Sequence, residues 1–147
     1  MIDNILREEL EQLKNEIIFR HEQAGQVASG KTRASFSIEV SGNRGELWGN
    51  AYVGVLETGR QPGKVPYQFR DIIKRWAIAK GLTFNDEKDL NRFAYFVAQK
   101  IAKEGTKLFR SGMKEDIFET PIRQFTERIS ERIYSAYSKE IENQIFA

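Results

Sequence analysis

The chain predicts an α+β fold: a small antiparallel β-hairpin sheet packed against several helices, with long amphipathic helices at both ends. Three observations carry this expectation. Near the start, Ile2, Leu6, Leu10, Leu13 and Ile17 recur at three- and four-residue steps with Glu and Lys between them, one apolar helical stripe. Phe36, Ile38 and Val40 alternate with Ser37 and Glu39, the period of a strand with one buried face. From about Lys114, the residues Phe118, Ile122, Phe125, Ile129, Ile133, Tyr137 and Ile141 hold a single face. Their span is roughly thirty residues, about 45 Å at 1.5 Å per residue.

The elements between follow in order. Residues 24–33, AGQVASGKTR, lose periodicity and collect small polar residues, which predicts a mobile loop. After the first strand, SGNRG at residues 41–45 supplies residues tolerant of positive φ, so residues 46–52 become the return strand of a hairpin. Tyr52, Val55 and Leu56 fit a short helix, although Val53 and Val55 are β-branched. Pro62 and Pro66 exclude a regular ladder or helix, so residues 60–66 form an exposed, rigid loop. Phe69, Ile72, Ile73 and Trp76 then make a helical stripe that Gly81 ends, with Leu82 folding back and Trp76 in the core. Asn85 is the expected N-cap of a further helix, whose Leu90, Phe93, Ala94, Val97 and Ile101 stop at Gly105. Residues 106–112 read as a second loop. The last helix is longer than a small hairpin sheet can cover, so part of its stripe should meet the first helix or another subunit.

A chain of 147 residues fits one domain, 1–147, with a real core. With 40% hydrophobic and 30% charged residues, it should be an ordered globular chain and not wholly disordered. A net charge of +2 does not single out nucleic acid as a partner. Without cysteine there is neither a disulfide framework nor a thiolate metal site, so packing or neighbouring subunits must supply stability. No apolar run approaches the ~20 residues that span a bilayer, and the acidic, amphipathic MIDNILREELEQLKNE does not read as a signal peptide, so no membrane role is expected.

The same residues offer little chemistry, and neither enzyme activity nor a cofactor or metal is expected. His21 beside Glu22 reads as a surface or capping histidine with no catalytic partners. GRQPGKV from Gly59 falls short of a phosphate loop: only three residues separate its glycines, and Val65 stands where a magnesium-binding hydroxyl belongs. The acidic pairs Glu8-Glu9, Asp86-Glu87 and Glu115-Asp116 suit helix N-termini or solvated faces. The basic series Arg60, Lys64, Arg70, Lys74, Arg75 and Lys80 is either a solvated helix face or a surface for an acidic neighbour or DNA phosphates.

The stretch GNAYVGVLETGRQPGKVPYQFRDIIKRWAIAKG at residues 49–81 is the most distinctive part of the chain. Leu56, Glu57, Gly59, Arg60, Pro62, Gly63, Pro66, Trp76, Lys80, Gly81 and Leu82 give it the pattern Leu-Glu-x-Gly-Arg, Pro-Gly, a further proline, then a tryptophan-bearing helix closed by Lys-Gly-Leu. With this pattern it resembles the central segment of the small neck, or tail-completion, proteins of long-tailed bacteriophages and prophages. SGKTRASFSIEV at residues 29–40 and FAYFVAQKIAKEGT at residues 93–106 resemble the family's flanking segments. The chain departs from the family after Gly105-Thr106, where a proline-aromatic pair is replaced by KLFRSGMKEDIFETPI with its proline delayed to Pro121.

What the resemblance implies is a structural protein of the virion at the head-tail junction, made in the bacterial host cytoplasm and acting by assembly. Each copy would be one segment of a homo-oligomeric ring. It would contact head-closure or connector proteins and tail terminator or tail tube proteins, with packaged DNA nearby. The residues offered to neighbours would be Lys31, Arg33, Arg60, Pro62, Lys64, Arg70, Lys74, Arg75, Lys107, Phe109 and Arg110. The alternative is a small DNA-binding or regulatory oligomer using the basic helix 67–80.

Overall fold

A computed structural model describes residues 2–146 and shows an α+β architecture built on a two-stranded antiparallel sheet and two long terminal helices. The elements are α1 (Ile2–Gln23), α2 (Lys31–Ala34), β1 (Ser37–Ser41), β2 (Arg44–Trp48), a 3-10 turn (Ala51–Val55), α3 (Phe69–Ala79), α4 (Glu87–Glu104), α5 (Lys107–Ser111) and α6 (Glu119–Phe146).

The sheet pairs Ser37 with Trp48 and Ser41 with Arg44 around a two-residue turn, in which Gly42 takes φ +55°. Its inner face lies against α1. Gly45 makes the close approach: a Cβ there would stand 2.6 Å from Leu10 Cδ1. Leu10, Leu13, Ile17, Leu56 and Ile117 form the buried cluster, with Phe36, Ile38, Val40, Leu47, Phe118 and Phe125 packed around it. Fully burying each large aliphatic of this kind contributes about 1.5–3 kcal/mol.

Helix α6 lies antiparallel to α1. Arg20 meets Asp116 at 3.1 Å near one end, and Arg128 and Arg132 meet Glu9 at 2.9 and 3.1 Å towards the other. Glu9 is only 4% exposed. Burial works to raise its pKa, but hydrogen bonds and charges from Arg128 and Arg132 prevail and hold it below the ordinary glutamate value.

A second buried cluster joins α3 to α4 through Ile73, Ala94 and Ala98, with Phe69, Phe93 and Val97 beside it. The alanines let the two helices approach closely. Helix α3 ends as its sequence predicts, with Gly81 at φ +82°, Gly81 N–H donating to Ile78 O and Leu82 N–H to Ala77 O.

Several boundaries differ from expectation, each for a local reason. The return strand stops at Trp48 because the chain bends at Gly49 and Asn50, whose Oδ1 accepts from Tyr52 N at 3.1 Å and starts the 3-10 turn. Residues 24–33 are not wholly irregular: α2 begins within them at Lys31, and Gly30 precedes it at φ +81°. Asp86, not Asn85, caps α4, accepting from Asp89 N at 2.9 Å. Residues 107–111 form the short helix α5 instead of a loop. Helix α6 starts at Glu119, since the stretch before it is tied to Glu57 through Glu115 N and turns tightly where Ile117 N donates to Glu115 O.

Candidate functional site: a structural staple and an open groove

The two most distinctive segments of the sequence dock on one another. Arg60 N donates to Thr106 Oγ1 at 2.9 Å, Thr106 N to Arg60 O at 3.0 Å, and Gly63 N to Ala102 O at 2.9 Å. Gly59 and Gly105 are required by this crossing. At φ +81°, Gly59 lies so close that a Cβ would stand 2.5 Å from Thr106 Oγ1 and 2.6 Å from Phe109 N. A Cβ on Gly105, at φ +84°, would stand 2.6 Å from Arg60 O.

Glu57 serves the same junction. Its backbone carbonyl accepts from Glu115 N at 2.8 Å, and its carboxylate accepts from Phe118 N at 3.3 Å and Glu119 N at 3.2 Å, placing a negative charge at the start of α6. Asp116 adds to this start by accepting from the Thr120 hydroxyl and amide; these bonds, with help from Arg20 and Arg123, lower its pKa against the effect of burial. Leu56 fills the main core. The Leu56-Glu57-x-Gly59-Arg60 pattern is thus a staple tying α4, α5 and α6 together.

An open groove of about 410 Å³ lies beside the staple. The last turn of α1, residues 26–32, the 3-10 turn and α3 form its walls. Trp76 lines it and is 43% exposed, which corrects the expectation of a core tryptophan. Successive α3 positions face different ways: Ile73 and Ala77 take the α4 side, leaving the indole on the groove.

His21 also corrects its expectation, being 2% exposed in the groove wall. Gln26 Nε2 donates to Leu56 O at 2.6 Å, so its Oε1 faces His21 Nδ1 at 3.0 Å, and that ring nitrogen carries the proton. The histidine thereby helps tie the end of α1 to Leu56 through Gln26. The adjacent Glu22 gave no hint of this, because the partner is an amide five residues on.

The expected contact residues fall into separate settings. Lys31 and Arg75 line the groove, and neither has a carboxylate partner among the described residues. Arg33 reaches Glu22 at 2.8 Å. Arg60 is half-buried, its guanidinium 5.4 Å from the Phe69 ring centroid and donating to Lys64 O at 3.2 Å. Arg70 sits between the rings of Tyr67 and Tyr95, at 5.5 and 5.8 Å. Lys74 approaches Asp71 at 3.9 Å. Pro62, Lys64, Lys107 and Phe109 are exposed, while Arg110 bonds Gly105 O at 3.2 Å. The basic helix is therefore divided among faces and does not present one continuous cationic stripe.

A further surface is the outer part of α6. Because Arg132 stands opposite Glu9, the Ile2 end of α1 falls opposite about residue 139 on the antiparallel partner. Residues 139–146 run past that end for about 12 Å and are all exposed, Phe146 at 82%. Among the described residues no helix is long and apolar enough to cross a membrane, and no cluster of His, Asp and Glu could hold a metal ion. Comparison with protein-family models, curated proteins and solved structures finds no match.

Proposed function

We propose that this chain is a structural virion subunit of a tailed phage or prophage, one segment of a ring at the head-tail junction that joins head to tail by protein contacts. The observation that carries the reading is the part of α6 that outruns α1. It leaves Ile141, Ile145 and Phe146 exposed, continuing the exposed Tyr134 and Tyr137 of a helix whose Arg128 and Arg132 are engaged by Glu9. An apolar surface of this kind suits a subunit covered by neighbours. The resemblance in residues 49–82 supports the same reading and suggests who the neighbours are: further copies, head-closure or connector proteins, and tail terminator or tail tube proteins. Assembly, not catalysis, is the activity, and the virion is its place.

DNA binding through α3 has less support, since Arg70 is held between tyrosines and Lys74 lies near Asp71. Electron microscopy of particles made without this chain separates the readings. A joining role predicts packed heads beside complete, unattached tails. Normal infectious particles, together with strong DNA affinity lost on Lys74→Glu/Arg75→Glu, would overturn it in favour of the DNA-binding reading.

A further inference from the structure

The groove and the outer part of α6 are both unoccupied and are chemically complementary. The groove has an apolar wall that includes Trp76, Tyr52 and Ile72, and a rim carrying Lys31 and Arg75; none of its lining residues is acidic. Beyond Lys139, the charges on α6 through Phe146 are Glu140 and Glu142, set beside Ile141, Ile145 and Phe146. A cavity of about 410 Å³ is within the size range that holds compact ligands and anchoring side chains.

Their positions decide how they can meet. The groove adjoins His21 in the last turn of α1, whereas the outer part of α6 projects past Ile2 at the other end. The nineteen-residue step from Ile2 to His21 is about 28 Å of helix, and α6 runs on away from the groove. A copy therefore cannot fill its own groove.

We infer that residues 139–146 of one copy dock in the groove of a second copy, with Ile145 and Phe146 against Trp76 and Tyr52, and Glu140 and Glu142 towards Lys31 and Arg75. The contact joins two different patches, so it is head-to-tail, and repetition closes a ring or extends a filament. The inference deepens the ring reading above and rests on it for the closed outcome.

The absence of cysteine makes a direct test available. Ser29 lies exposed at the groove, and Gln144 lies exposed on α6 between the apolar anchors. Full-length Ser29→Cys and Gln144→Cys proteins, carrying different tags, are mixed under mild oxidation and resolved by mass. The inference predicts a mixed dimer that forms faster than either homodimer and is suppressed at least tenfold when Arg75→Glu and Trp76→Ser are added to the groove partner. A dominant Gln144→Cys homodimer would show α6 pairing with α6 and overturn the inference. Exclusively uncrosslinked chains at high concentration would overturn it equally. Neither result touches the joining role, which the particle phenotype decides separately.

Discussion

The α1–hairpin–α6 region and the α3–α4 pair are built on different principles. The first combines a large aliphatic cluster with a buried carboxylate held by two arginines, so its helices are fixed in register as well as packed. The second relies on Ile73 and two alanines flanked by Phe69 and Phe93, with no buried ion pair among the described residues, and leaves Trp76, Tyr95 and Phe96 exposed. Structure and function separate accordingly: the residues that hold the chain together cluster at the first region and the staple, while the unpaired cations Lys31 and Arg75 and the half-exposed tryptophan belong to the groove that α3 helps to form.

Breaking the staple should have the largest effect. Gly59→Val combines left-handed backbone strain with collision against the Phe109 backbone, and should cost about 3 kcal/mol or more in urea unfolding. Next comes the register lock. Arg128→Ala/Arg132→Ala leaves Glu9 buried without a partner and should cost about 3 kcal/mol, whereas Glu9→Leu in the same background should recover part of that loss.

The same contact sets the acid response. The folded pKa of Glu9 lies below 4.5 and that of Asp116 below 3.8, so their stabilisation is complete above those values and lost as pH falls through the lower folded values. Chemical denaturation should thus show little slope from these groups between about pH 7 and 5.5 and a decline below about pH 4.5 that Glu9→Gln reduces. Glu57→Ala removes the acceptor at the start of α6 and should cost about 1 kcal/mol. Smallest of all, Arg75→Glu should change stability by no more than about 0.5 kcal/mol, which sharpens the contrast between a groove cation and a structural one.

Much of this was legible in the sequence because periodicity reports which face of an element is buried. The α1 stripe, the alternation at Phe36, Ile38 and Val40, and the Gly81 helix stop all reflect local rules that the tertiary structure keeps. The misreadings arose where a distant partner decides. Glu57 ties down the approach to α6 from about sixty residues away, Gln26 bonds His21 in the interior, and close α3–α4 packing through alanines turns Trp76 outward. In the Leu56-Glu57-x-Gly59-Arg60 stretch, the pattern was visible but its purpose was not, since only the crossing with Gly105 and Thr106 shows why glycine is needed.

The proposed role places copies of this chain in the ring between head and tail. The most direct measurement is a cryo-electron microscopy reconstruction of the junction in particles that carry it. The expected result is a ring of copies at that level, each with the outer part of α6 seated beside Trp76 of the next. A junction fully built from other chains, with this one absent, would contradict it.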